Sequence, residues 1–290
     1  MNAVTFDFTR APFRLNDRAS PQQVAREIVA CYEAAASFPD EATQCWRAAM
    51  QAAGIEDAHP LLQAGGRIAR DIDAGIGAGD GNPYHNRQHF CEVLLAALYL
   101  LLAAPLTQAE RVQLLVAALA HDFHHDGKGF GDATFRLERV AVEAMLPYLA
   151  ASGVPQDECT RISAMILATE ISTGMPFARR CYLHFFEGGA QPDAAGIGEP
   201  LAMLARDASL ARQAVLLTEA DVLPSVGLTP GYSELSQANL SSEWGKPLSD
   251  ADNLNFLERV FGDFTVNRFF SPNVSALKEA IRIQAGKRVS

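Results

Sequence analysis

The chain has 290 residues, of which 49% are hydrophobic and 20% charged, with a formal charge of −10. That length permits one large domain or two small ones, and the composition is that of a soluble globular protein. The acidic balance, with no basic run to offset it, excludes a binder of nucleic-acid backbones, so an anionic substrate would need local positive charge such as a metal centre.

The five cysteines are odd in number and show no Cys-x-x-Cys spacing, which points to reduced thiols and excludes a disulfide framework or a thiolate zinc site. The first residues show no basic region followed by an apolar stretch, and the longest apolar run, Val93 to Pro105, is too short to span a bilayer. The expected setting is cytoplasmic, with no membrane partner.

Residues 1–19 read as irregular. Ser20-Pro21 reads as an N-cap and first helical residue, opening a helix through Ala36. A second helix runs from Asp40 to near Gly54, and Pro60 to Ala74 form a third. Gly75 to Pro83 is the strongest breaker in the first half, so His85 stands where the next helix begins. That helix carries His89 and runs to about Ala104, where Pro105 stops it. Thr107 with Glu110 makes a capping box for a helix whose C-terminal end delivers His121 and Asp122.

Gly127, Gly129 and Gly131 mark a loop. Helices are then predicted over 133–151, 156–171, 199–223, 250–268 and 273–285, with breaks at Gly188–Gly198 and Gly227–Gly231. There is no alternating run for a sheet and no repeat. The fold class read from this pattern is all-α. Residues 1–75 form an N-terminal helical segment packed on a catalytic domain spanning 76–290.

Five of the seven histidines fall between His85 and His125. His85 and His89 are four apart and share a face if both are helical. His121 and Asp122 would point about 100° apart on a helix, although an Asp in the last turn can still reach inward and bridge two cations. Imidazole and carboxylate together suit zinc, iron, manganese or magnesium, and spacing alone does not choose among them. His124 is expected to face solvent, and His59 and His184 stand apart.

Tyr84-His85-Asn86-x-x-His89, followed by Ala120-His121-Asp122-x-x-His125-x-Gly127, resembles the signature of class I cyclic nucleotide phosphodiesterases, within the HD-domain phosphohydrolases. The resemblance implies a helical bundle around a central dinuclear metal site holding two divalent ions (Zn, Mg, Mn or Fe). It casts His85 as general acid, and His89, His121 and Asp122 as ligands, with Asp122 bridging the ions. His125 would contact the bridging hydroxide. The family's distant ligand matches Asp221 in Thr218-Glu219-Ala220-Asp221-Val222, and Ile166-Leu167-Ala168-Thr169-Glu170 resembles a supporting stretch in which Thr169 and Glu170 hold water. Glu138 takes the place of a further supporting acid.

Three departures qualify the likeness. Asp126 replaces a proline between His125 and Gly127, and the segment from Gly127 to Glu138 is short. No purine-binding Gln stands in register near Phe261-Gly262-Asp263-Phe264 or Phe269-Phe270-Ser271-Pro272, whose Phe residues read as helix core. The reaction implied is hydrolysis of a 3′,5′-cyclic nucleotide, cAMP or cGMP, to the 5′-monophosphate. The alternatives are another HD-domain phosphohydrolase acting on a nucleotide monoester or different diester, a di-iron oxygenase, or a non-enzymatic helical binding protein. In each enzymatic case the partner is a small molecule, and no residue pattern sets the oligomeric state.

Overall fold

The computed structural model describes residues 20–55, 59–77, 81–128, 133–260 and 264–289. All regular structure among them is helical: α1 (Pro21–Ala35), α2 (Glu41–Ala53), α3 (Pro60–Asp73), α4 (Arg87–Leu102), α5 (Gln108–Ala120), α6 (Arg136–Ala151), α7 (Gln156–Leu167), α8 (Gly174–Glu187), α9 (Ala208–Val226), α10 (Pro230–Glu243), α11 (Asp250–Val260) and α12 (Ser271–Val289), with 3-10 turns at Leu201–Ala205 and Arg268–Phe270.

Three helices make the centre. From Phe90 to Leu101 every residue of α4 is buried, from Val112 to Ala120 every residue of α5, and α9 is buried over most of its length. Helices apolar on all sides require neighbours on all sides. Accordingly α4 packs on α2, α5 and α9, while α3 packs on α5 and α6 and α7 packs on α5 and α9. Site residues lie at the N-terminal end of α4, just past the C-terminal end of α5 and within α9. The most deeply buried helices therefore position these residues.

The caps are those expected. Ser20 with Gln23 and Thr107 with Glu110 both form reciprocal capping boxes. Residues 1–19, the glycines at 129 and 131, and Phe261 to Asp263 lie outside the described residues.

Several expectations need correction. Helices α8 and α10 occupy stretches in which the sequence reading assigns no element. Helix α10 is polar and Ser-rich, with no clear apolar stripe, although Thr229 caps it and Pro230 starts it just as Ser20 and Pro21 start α1. Gly231, read as a breaker, is simply its second residue. Helix α7 ends at Leu167, so Thr169 and Glu170 lie beyond it. Helix α9 begins only at Ala208 but continues through Pro224 to Val226.

Of the helix predicted over 250–268, Asp250–Val260 is helical and 264–267 is not, because a buried carboxylate captures the backbone there. Glu219 accepts hydrogen bonds from the amides of Thr265, Val266 and Asn267 at 2.5, 2.8 and 3.0 Å, holding those groups away from helical pairing.

Candidate metal centre and catalytic pocket

His85 precedes the helix rather than joining it. Asn86 is the N-cap of α4, its side chain accepting from the amides of Gln88 and His89 at 3.0 and 3.3 Å. The bend at Tyr84–Asn86 turns the His85 ring back, and its centroid lies 5.6 Å from that of His89. At the other end of the centre, α5 stops at Ala120 with His121 as its C-cap. His121 keeps helical dihedrals, φ −59° and ψ −35°, so the expected divergence persists in the backbone and the side chains close it: His121 Nε2 lies 3.0 Å from Asp122 Oδ2.

His89, His121, Asp122 and Asp221 each aim one ligand atom into a common space, all within 4.8 Å of one another. His89 Nε2 is 3.3 Å from Asp122 Oδ2 and 3.7 Å from Asp221 Oδ1, and His121 Nε2 is 3.4 Å from Asp221 Oδ1. Both ring nitrogens of His89 and Nε2 of His121 are buried without a hydrogen-bond partner among the described residues. Buried polar atoms are normally satisfied, and the chemistry that satisfies two imidazole nitrogens facing two carboxylates is a divalent cation. His121 is prepared for this. Its Nδ1 donates to the Ala118 carbonyl at 2.9 Å, so in the neutral ring Nε2 carries the lone pair that a cation would take. The donor set fits a metal.

The electrostatics of the cluster are those of opposed charges held close. Burial opposes charge on both His121 and Asp122. The two aspartates nevertheless raise the His121 pKa well above its ordinary value, and the histidines hold Asp122 well below its own. Burial lowers His89. Glu138, half a turn into α6, lines the same cavity. Burial, with repulsion from Asp122, Glu170 and Asp221, pushes its carboxyl up to about 7.

A second cluster, which sequence reasoning missed in part, comprises His85, His125 and Glu243. Glu243 is the last residue of α10. Its Oε1 lies 2.5 Å from His85 Nδ1, and its Oε2 accepts from the amides of Tyr84 and His85 at 3.0 and 2.9 Å. Burial would raise the Glu243 pKa, but the His85 ring and these amides lower it. The His85 and His125 rings are stacked, with centroids 3.6 Å apart and planes 16° apart. Imidazole lone pairs lie in the ring plane, so two stacked rings do not direct them at one ion about 2.0–2.1 Å away. Burial lowers His125 to about 4, so it packs on His85 as a neutral ring, and its Nδ1 accepts from the Gly127 amide at 3.0 Å. The stacking thus sets this cluster apart from the His89–His121–Asp122–Asp221 group.

Thr169 lines the cavity and donates to the Ile166 carbonyl. Glu170, expected to hold water beside the ligands, turns elsewhere and does not line the cavity. It accepts from the amides of Ser172, Thr173 and Gly174 at 2.9, 2.6 and 3.1 Å, tying down the start of α8. His124 is exposed, His59 caps α3, and His184 sits on α8, all away from the centre. Arg87 pairs with Glu41 and Arg136 with Asp126, the residue that replaces a proline.

One cavity of about 420 Å³ joins both clusters and extends between α10 and α11. Its far end holds Gln237, Leu240, Trp244, Asn253 and Phe256, and Lys128 and Lys246 border it. Asn253 Nδ2 donates to Gln237 Oε1 at 2.8 Å, which turns the Gln237 amide nitrogen and the Asn253 carbonyl oxygen to other partners. The sequence reading sought a Gln among the phenylalanines near Phe261–Pro272. Phe264 and Phe270 are core residues, and the amides in the cavity come from α10 and α11 instead.

No family model matches this sequence, and no curated protein matches it. Solved structures do. The phosphodiesterase domain of the RhoPDE fusion protein from the choanoflagellate Salpingoeca rosetta is 18% identical, with a TM-score of 0.60 over 88% of this chain and 92% of that one. A second structure of that organism's rhodopsin phosphodiesterase domain is 16% identical, with a TM-score of 0.58 over 91% and 89% of the two chains. Yeast caPDE2 is 14% identical, with a TM-score of 0.58 over 84% of this chain and 64% of that one. The chain has the fold of phosphodiesterase domains.

Proposed function

We propose that this protein is a metal-dependent phosphodiesterase that hydrolyses a 3′,5′-cyclic nucleotide, cAMP or cGMP, to the 5′-monophosphate. The observation that carries the reading is the juxtaposition, in one cavity, of the His89–His121–Asp122–Asp221 cluster with the His85–Glu243 pair. The phosphodiesterase-domain fold supports it.

His89, His121, Asp122 and Asp221 would hold two divalent ions, Zn, Mg, Mn or Fe. Such ions supply Lewis-acid polarisation of a phosphoryl group and lower the pKa of water at neutral pH. His85 is the general acid for the leaving alkoxide. Glu243 takes its Nδ1 proton in a short hydrogen bond, which fixes the ring and leaves Nε2 as the face turned to the cavity, 3.8 Å from Asp122 Oδ2. His125 stacks on that ring and limits its rotation. Glu138 and Thr169 border the same space, where they would order solvent.

The nucleotide part of the reading rests on the far end of the cavity. A donor from Gln237 and an acceptor from Asn253 suit the mixed donor and acceptor edge of a nucleobase, with Phe256 and Trp244 beside them. In this reading residues 76–290 form the catalytic unit and residues 1–75 pack on it.

The test is metal analysis of the purified protein, followed by assays on cyclic and linear nucleotides with Mg, Mn, Fe and Zn. The proposal expects 5′-monophosphate from a cyclic nucleotide with at least one metal. Failure with every metal overturns it, and oxygen consumption by an iron-loaded protein would replace it with oxygenase chemistry.

A further inference from the structure

A second cavity, of about 760 Å³, lies in the groove between α2 and α3 and shares no lining residue with the catalytic one. Three arginines border it: Arg47 from α2, and Arg67 and Arg70 from α3. No hydrogen bond or ion pair joins their guanidinium groups to another described residue. The other arginines divide: among the described residues Arg26, Arg111, Arg139, Arg179, Arg180 and Arg212 also form no ion pair, whereas others do. Arg87, Arg136, Arg161, Arg206, Arg268 and Arg282 each meet a carboxylate. Arg47 and Arg70 are exposed and Arg67 is half-buried, so all three guanidinium groups are open to an anion in the groove.

The floor of the cleft is built for close approach. The Trp46 ring lies against Gly65 so tightly that a Cβ there would come within 2.1 Å of it. At Gly66 a Cβ would stand 3.6 Å from Trp46 Nε1 and 3.8 Å from Arg70 Nη1, so an indole donor and a guanidinium donor flank the same small gap. Met50, Ile55 and Leu62 supply an apolar wall. Guanidinium forks match the oxygens of a phosphate group, and an apolar wall suits an organic substituent.

We infer that the α2–α3 cleft is a binding site for an organic phosphate, separate from the catalytic centre, with Arg47, Arg67 and Arg70 holding the phosphate and the Trp46–Met50–Leu62 wall holding the organic part. The site lies in the N-terminal helices, for which the catalytic reading has no use. Its walls rest on the catalytic helices, since α2 packs on α4, which bears His89, and α3 packs on α5, which leads to His121.

The test is calorimetric titration of the full chain, freed of metal by chelation, with phenyl phosphate and with inorganic phosphate. The parent should bind phenyl phosphate more tightly than inorganic phosphate. Arg47→Gln/Arg70→Gln should weaken binding at least tenfold, and Gly66→Leu should abolish it by filling the gap without changing charge. Asp122→Ala, altered only in the catalytic cavity, should bind as the parent does.

No binding by the parent overturns the inference, as does binding lost in Asp122→Ala but kept in Arg47→Gln/Arg70→Gln.

Discussion

Glu243 grips His85 from 158 positions away in the chain, its Oε1 2.5 Å from the imidazole Nδ1 and its Oε2 on the His85 amide. The carboxylate thus restrains both the side chain and the backbone of one residue.

Replacing Glu243 should therefore slow turnover without releasing metal. Glu243→Gln is expected to lower kcat about a hundredfold, the usual scale for a misdirected acid or base. Metal content should be unchanged, and an exogenous carboxylate such as formate should restore part of the turnover. Parallel loss of metal and activity would contradict a positioning role.

Asp122→Ala and His85→Ala should separate binding from chemistry. Asp122 lies within 3.8 Å of three histidines, so its loss should remove metal and activity together. His85→Ala should keep the metal and lose turnover, as read by metal analysis beside kcat. If His85→Ala hydrolyses a diester as fast as the parent, the acid assignment is wrong.

Asn253→Ala should raise KM for a cyclic nucleotide about tenfold or more, because a base amide left unpaired in a cavity costs about 1–3 kcal/mol. The same variant should treat a base-free diester such as bis(4-nitrophenyl) phosphate as the parent does. An equal change on both substrates would mean that the Gln237–Asn253 pair shapes the pocket rather than reads a base.

Stability should depend on Glu92, which is buried on α4 and accepts hydrogen bonds from Tyr232 and Gln88. Burial raises its pKa from 4.5 to about 7, and the hydrogen bonds counter only part of this. Between those values the folded chain holds a proton that the unfolded chain has released, so stability falls as pH rises through the window. At about 1.36 kcal/mol per unit the loss is on the order of 3 kcal/mol, complete by about pH 7. Glu92→Gln should remove that slope, measured as the difference in Tm between variant and parent from pH 5 to 8.

Glu219→Ala should cost about 2–4 kcal/mol, because the buried amides of Thr265, Val266 and Asn267 lose their shared acceptor. Denaturant unfolding measures this. A change below about 0.5 kcal/mol would mean that the 264–270 segment holds its path without the carboxylate.

Much of this architecture is local in origin and legible in the residues. The Ser20 and Thr107 capping boxes, the breaker after Ala74 and the apolar runs of α4 and α5 act over a few positions, and each does what its chemistry predicts. The spacing of His85, His89, His121 and Asp122 announces a metal centre for the same reason, since the residue types themselves bind cations. Asp221 was accessible only through its resemblance to a motif.

Tertiary folding decided the rest. Helix α10 lacks an apolar stripe, so periodicity does not reveal it, and without it Glu243 does not reach His85 nor Gln237 the cavity. Glu170 shows the converse. Its identity suits the centre, yet three nearby amides claim both its oxygens. Sequence alone determined which groups could bind a metal and move a proton. Which carboxylate holds His85, and which amides line the cavity, depended on contacts spanning the chain, because a hydrogen-bond partner is chosen by proximity in the fold and leaves no periodic trace in the sequence.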